Sequence, residues 1–458
     1  MNILVVKDRM LSWNEKRLLV DDLYTKEYYK YSSKYVDSFY NDTYAVNEIF
    51  DNVYQDYLAL KMFLEENEID VIDLKDANED ICFYFADLAK QKGIRIKNAR
   101  LIARKLRNQI DFSMTKLASL GYFLYLMANI TYTREEIEPH KEFSVIRAKS
   151  SAGKIKRFDN IHKEYEYPFN KQTIYRLFPL CKKWKWVLQA YFRSFRVLRE
   201  YKRFYQNLSG KWSILALNNF YKRRIVHAEL YKLMLDDYFS HFHGCDFYTG
   251  NNLCRFSVIE DQLAKKHGLK SYNIPHGIEY GFKYPKGFSS DVFYANTQYT
   301  ADWLNKLYNT DKYVFDEEVT TKMFRLDNVK PHEKHVVYFS EPREVEVNIQ
   351  IVTELIPLLK EKGITLYLKL HPGDIKSNYD KLDAPQLTDY TEAMVGNVCI
   401  ARKSTCLLEA IYNNSTPIAI ITNPKDQTIF DLFPSLNTEK IIKTYNVKEL
   451  FEQIIKYY

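Results

Sequence analysis

Glycine and proline are scarce in this 458-residue chain, at 13 each. Neither G-x-x-x-x-G-K-[ST] nor G-x-G-x-x-G occurs, which argues against a P-loop kinase and a dinucleotide enzyme. Cysteine is also sparse. The six thiols (Cys82, Cys181, Cys245, Cys254, Cys399, Cys406) form no CxxC pair and no Cys/His metal spacing, and read as reduced residues of a cytoplasmic protein. No apolar run reaches the ~20 residues that span a bilayer. Met1–Val6, followed at once by Lys7-Asp8-Arg9, reads as a first strand and not as a cleaved leader. His241-Phe-His243 lacks a third ligand nearby, and Asp21-Asp22 and Asp236-Asp237 lie within helical patterns, so no metal site is expected.

Apolar and aromatic residues are abundant, at 46% and 16% of the chain, enough for a folded protein of two or three domains. The net charge of +7 is modest but unevenly placed. Between Lys171 and Tyr205, ten Lys/Arg face a single acid, Glu200, and are interleaved with ten aromatic residues. Such a helical segment suits an anionic membrane surface or nucleic acid. It equally suits a solvated basic face over an aromatic core face, and periodicity alone does not choose between them.

Strand and helix patterns alternate over the first 100 residues, with strands at Met1–Val6, Ile69–Leu74 and Gly93–Ile96. This order points to a parallel sheet with helical crossovers. Residues 100–235 read as a charged, aromatic, helical insertion. Alternation resumes with strands at Cys245–Thr249, Leu269–Ile274 and Asp291–Ala295, and residues 310–334 read as a linker. A second domain starts with the strand His335–Ser340. It continues through the helix Val347–Lys362, the strand Ile364–Leu370, the strand Asn397–Ile400, the helix Ser404–Tyr412 and the strand Thr416–Ile421. The expectation is an α/β protein with domains at 1–325 and 330–458, each Rossmann-like, facing a cleft.

Loops after parallel strands gather at the ligand-binding edge of an open α/β sheet. Three such loops carry suitable chemistry in the second domain: Ser340 to Arg343, His371-Pro372-Gly373-Asp374, and Arg402-Lys403-Ser404-Thr405. Imidazole, hydroxyls, cations and helix-start amides around one point suit a phosphate. Glu409, one turn beyond Thr405, is placed to reach a ribose hydroxyl. In the first domain, Pro275-His276-Gly277-Ile278-Glu279 follows a strand, and His276 suits a general base toward an acceptor hydroxyl. Glu279 and then Asp261 are the next candidates, although Glu260-Asp261 sits mid-helix, where solvated acids are the commoner case.

A strand-ending His371-Pro372 followed by Ser404-Thr405 at a helix start resembles bacterial sialyltransferases and polysialyltransferases of the GT-B fold, together with Kdo transferases of capsule and lipopolysaccharide assembly. The likeness covers mainly residues 245–425. It implies a metal-independent, inverting transferase taking a nucleotide-sugar donor, with CMP-linked sialic acid or Kdo as the best guess. In those families the His and the hydroxyl pair contact the CMP part of the donor, here His371 with Ser404 and Thr405. No cofactor beyond the donor is implied. The acceptor would be a glycan or lipid-linked glycan, reached in the cytoplasm or peripherally at the inner membrane face through Lys171–Tyr205, with no nucleic acid. The His276-Gly277 element resembles that of CDP-glycerol polymerases, where the His is proposed as base. Two departures stand out: Glu260-Asp261-Gln262 lacks the Gly of the sialyltransferase acid motif, and Thr405 replaces a second serine. Alternatives are a UDP- or GDP-sugar donor, a CDP-polyol phosphotransferase, and a non-catalytic glycan- or nucleic-acid-binding protein.

Overall fold

A computed structural model describes residues 1–23, 36–39, 42–129, 137–147, 149–166, 173–206, 210–327, 330–342 and 344–458. The protein is α/β. It divides into two compact units, the first comprising residues 1–274 and 282–293, the second 275–281 and 294–458. The domain boundary expected at 325–330 therefore falls inside the second unit.

The first unit opens with strands β1 (Ile3–Asp8), β2 (Met10–Trp13), β3 (Lys16–Leu19), β4 (Val71–Ala77) and β5 (Arg95–Lys97), in the order β3-β2-β1-β4-β5. β1, β4 and β5 are parallel, while β2 and β3 form an antiparallel hairpin on β1. Helix α1 (Gln55–Glu66) precedes β4, and α2 (Glu79–Lys92) makes the crossover to β5. The ends of α2 are written in its sequence. Asn78 caps the start by accepting from the Asp80 N–H, acids fill the first turn and lysines the last, and Gly93 closes it at φ 70°.

A second, parallel sheet of this unit uses β6 (Glu142–Ile146), β7 (His162–Tyr165), β8 (Asp246–Thr249), β9 (Lys270–Asn273) and β10 (Val292–Tyr294), which lie in the order β10-β9-β8-β6-β7. β6 and β7 fall within the stretch expected to be a helical insertion, so that stretch supplies two strands as well as long helices. The polar sequence His-Lys-Glu-Tyr of β7 carries no apolar alternation, because an edge strand needs little burial. Helices α3 (Leu101–Asn129), α4 (Leu180–Gln206) and α5 (Ala216–Phe239) pack on one another, and α6 (Arg255–Lys266) packs on α5. Phe143 stacks on Phe242 at 4.0 Å and leans on Phe239 and Phe247, forming an aromatic core.

In the second unit a two-residue strand, β11 (Tyr313–Val314), accepts from the Ala295 N–H, and α7 (Gln298–Tyr308) and a helix at Glu317–Phe324 are formed. The expected linker at 310–334 is thus partly regular structure, its helix capped by the Asp316 side chain. The main sheet comprises β12 (Val336–Phe339), β13 (Leu366–Lys369), β14 (Val398–Ala401), β15 (Thr416–Ile420) and β16 (Ile442–Thr444). All are parallel, in the order β13-β12-β14-β15-β16. β12 and β14 are buried along their whole length, as sheets covered on both faces require. Helix α8 (Val345–Lys360) makes the crossover to β13. α9 (Tyr390–Met394), α10 (Cys406–Tyr412), α11 (Pro424–Leu432) and α12 (Val447–Tyr457) complete the unit. Its core includes Tyr338, Val352, Leu355, Leu368, Ile400, Ile418, Leu450 and Ile454.

Candidate functional site

β12 is followed by β13 on one side and has β14 on its other side. The strand order therefore switches direction at β12, and the space beyond the carboxyl ends of β12 and β14 is where ligands settle in open parallel sheets. The loops after β12, β13 and β14 all end there. The Pro275–Gly281 loop belongs to this same unit. A Cβ built on Gly277 would stand 3.9 Å from Thr405 Oγ1. Exposed His276 thus lies one residue from the hydroxyl pair, within one unit and not in a separate first domain as the sequence suggested.

His371 is held through its backbone. Its N–H donates to Ser340 Oγ at 3.0 Å and to Asp374 Oδ2 at 3.2 Å, and Ser340 Oγ donates to the same carboxylate at 2.5 Å. Ser340 is buried and its hydroxyl is committed to this brace. The imidazole itself is exposed, as are Pro372 and Gly373. Its Nδ1 accepts from the Gly373 N–H at 3.0 Å, which makes Nε2 the proton-bearing nitrogen of the neutral ring and an outward donor. A Cβ on Gly373 would meet that Nδ1 at 3.2 Å and Pro342 Cβ at 3.4 Å, so glycine allows the β12 and β13 loops to approach.

The cations after β14 are not available as the sequence implied. Arg402 is fully buried; Nε and Nη2 bind the two oxygens of Asp426 at 2.9 and 2.8 Å, and Nη2 also reaches Glu344 Oε2 at 2.6 Å. Among the described residues its Nη1 has no hydrogen-bond partner, and it lies 3.9 Å from Glu341 Oε2. Lys403 Nζ binds Glu344 and Asp426 at 3.0 and 2.7 Å, its N–H binds Glu341 Oε1 at 2.9 Å, and Lys425 Nζ reaches Glu344 at 2.8 Å. Among the described residues, Arg402, Lys403 and Lys425 are matched in number by Glu341, Glu344 and Asp426. Burial pushes the Glu344 carboxyl up, but Lys425 and Arg402 outweigh it and hold the value down to about 2. For Glu341 burial prevails over Lys403 and Arg402, and its pKa is raised. Arg343 lies outside the described residues.

Ser404 Oγ accepts weakly from the Cys406 N–H at 3.3 Å, leaving its own proton to donate elsewhere. α10 spans only seven residues and Thr405 caps it without a side-chain bond. The hydroxyls therefore offer more to an anion than the dipole of so short a helix. Glu409 is buried and accepts from Tyr390 Oη at 2.5 Å, so its carboxylate is engaged within the fold.

The acids named as bases are differently placed. Glu279 is fully buried, accepting from the Asn296 N–H at 2.6 Å and Ser435 Oγ at 2.5 Å, while Asn296 Nδ2 donates to Gly277 O at 3.0 Å. Burial raises its pKa. We assign it to shaping the loop that carries His276. Asp261 belongs to the first unit, buried, accepting from the Ser290 N–H at 3.2 Å and paired with Lys265 at 3.2 Å. Glu260 is no solvated acid either. It accepts from Tyr231 Oη, Thr249 Oγ1 and Asn251 Nδ2 at 2.7, 2.6 and 2.9 Å, and burial raises it to about 7 against those bonds.

Sequence reasoning did not single out Tyr390, Glu344 or Asp426. The only local signals were the helix-start patterns Asp389-Tyr390 and Asn423-Pro424-Lys425-Asp426. In the first unit a cavity of about 690 Å³ lies at the carboxyl ends of β1 and β4, where Lys75, Arg100, Arg104 and Arg107 are matched by Asp8, Glu79, Asp80 and Asp111. No group of His, Cys, Asp and Glu suited to hold a metal occurs among the described residues. No protein-family model matches this sequence, and no curated protein matches it.

Proposed function

We propose that the second unit binds the phosphate of a nucleotide-sugar donor and that the protein is an inverting glycosyltransferase of the GT-B kind. A CMP-linked sialic acid or Kdo is the preferred donor, and a bacterial surface glycan or its lipid-linked precursor is the acceptor. The observation that carries the reading is that His371 and Ser404-Thr405 follow β13 and β14, the strands on either side of the switch-point strand β12, with Gly277 of the His276 loop beside Thr405. His371 is exposed and Ser404 and Thr405 are half-buried, while the neighbouring cations are paired with acids. A phosphate would thus be recognised by directed hydrogen bonds more than by net charge.

In the reaction His276 takes the proton of an acceptor hydroxyl. The acceptor oxygen bonds to the anomeric carbon as the bond from that carbon to the donor phosphate breaks, with inversion. The electron pair leaves on the phosphate oxygen, where His371 Nε2–H and the hydroxyls of Ser404 and Thr405 stabilise it, a task that a bound metal has in other transferases. Nucleotide donors of this class are cytoplasmic, and the reading places the enzyme there. The closeness of Gly277 to Thr405 also favours a second reading, CDP-polyol phosphotransfer, in which base and phosphate site share one unit.

Thermal melts with CMP, CDP, UDP and GDP test these readings. CMP is expected to stabilise the protein by roughly 2.7 kcal/mol at a hundredfold excess over Kd, and His371→Ala to abolish the effect. Slow release of CMP from a CMP-sugar, lost in His371→Ala, is the matching activity readout. A preference for UDP or GDP overturns the CMP assignment, and a response to CDP alone favours phosphotransfer. No response to any nucleotide overturns the transferase reading.

A further inference from the structure

Large apolar side chains stand in solvent on the helical region of the first unit. On α3, Ile102, Leu106, Ile110, Met114 and Leu117 are 73%, 55%, 64%, 61% and 64% exposed, and Leu124 continues the row. They recur at steps of three and four residues, and therefore form one stripe along the helix. The stripe from Ile102 to Leu117 is about 22 Å long. Arg107 flanks it on one side, Lys105 and Lys116 on the other. On α4 a second ridge, Trp184, Leu188 and Phe192, is exposed at four-residue steps. The two helices pack together, and Lys116 Nζ of α3 lies 4.2 Å from the ring centroid of Phe195 on α4. Placed on a helical wheel, Phe195 falls within the α4 ridge and Lys116 at the margin of the α3 stripe, so the stripes adjoin.

We propose that α3 and α4 together form a docking surface for an anionic lipid bilayer. α3 lies in the plane of the interface with its apolar stripe among the acyl chains, and Trp184 sits at headgroup depth. This surface adds α3 to the Lys171–Tyr205 segment singled out by charge, of which residues 171 and 172 lie outside the described residues. Charge selects the occupant. α4 carries eight Lys/Arg against one acid and α3 four against one. Lys185, Arg193, Arg199 and Arg203 are exposed and pair with no acid among the described residues. Cations flanking an apolar stripe are the composition of an interfacial helix. A second copy of the chain is disfavoured, because an isologous contact would set this positive face against itself. No helix among the described residues is long and apolar enough to cross a membrane, so an interfacial position is the one the stripe allows.

The test is co-sedimentation of the full chain with vesicles of phosphatidylcholine alone, or mixed equally with phosphatidylglycerol. The wild type is expected to bind the anionic vesicles roughly tenfold more strongly, less so as salt rises. Ile110→Glu/Met114→Glu and Arg193→Glu/Arg199→Glu change exposed positions and are expected to fold, and each should lower that binding roughly tenfold. Melts of both variants with CMP check independence from the donor reading, since all four positions lie in the first unit. A wild type that binds neither vesicle, or variants that bind as it does, overturns the proposal. So does a wild-type dimer in solution that Ile110→Glu/Met114→Glu converts to monomer.

Discussion

Glu260 in the first unit and Glu344 in the second both lie beside the carboxyl ends of parallel strands, but their partners differ in kind. Glu260 is hydrogen-bonded by neutral donors, Thr249, Tyr231 and Asn251, and burial lifts its pKa to about 7 against them and the charge of Arg147. Glu344 sits among Arg402, Lys403 and Lys425 and is held at about 2. Neutral donors offset part of the cost of burying a charge, whereas cations reverse its sign. Glu260 should therefore weaken the fold as pH rises, and Glu344 as pH falls.

The largest effect should come from breaking the charged cluster. Asp426→Ala leaves buried Arg402 and Lys403 short of their main partner and should cost about 3–5 kcal/mol in urea unfolding. The double change Arg402→Met/Asp426→Leu should restore most of it. A double variant as unstable as the single one would mean that packing, not the orphaned charge, explains the loss.

Next comes Glu260. Its folded pKa lies above the ordinary 4.5, so its contribution is fully present below about 4.5 and lost as pH rises through about 7. Glu260→Gln, neutral at every pH, should flatten that limb and be more stable than wild type at pH 8, by on the order of 3 kcal/mol. Melting curves from pH 4 to 8 check this, and an unchanged slope would assign the limb to another group.

Glu344 has the opposite sign. Its folded pKa lies below 4.5, so its stabilisation is present above about 4.5 and lost as pH falls through about 2. Glu344→Gln should remove that acid limb and lower stability at neutral pH by about 2 kcal/mol, a figure reduced for its partial exposure. A variant that keeps the limb between pH 4.5 and 2 would assign it to a group other than Glu344.

The smallest stability effect belongs to His371→Ala, within about 0.5 kcal/mol because the ring is exposed. The same change should remove the nucleotide response altogether. That contrast separates a binding residue from the charged scaffold beneath it.

Much of the second unit was legible in the chain. The strands ending at Phe339, Lys369 and Ala401 and the loops bearing Ser340, His371 and Ser404 lie where apolar runs and turn residues put them. β7 escaped notice because His162–Tyr165 has no alternation. The hairpin of β2 and β3 carries one buried residue, Leu11, in β2 and none in β3, too little to write a pattern. Roles were harder to read than positions. Ser340 proved a brace for the His371 loop, Glu279 a buried tie to Asn296 and Ser435, and Arg402 a closed ion pair.

The sequence by itself determined the alternation of strand and helix and which loops end at the strand tips, because local periodicity and caps are short-range properties. Only the tertiary structure decided that β12 is the switch point, that Asp426 and Glu344 neutralise Arg402, and that the His276 loop lies against Thr405. Those contacts join residues from 24 to more than a hundred positions apart. They are set by strand order and the need to pair buried charge, which no local pattern records.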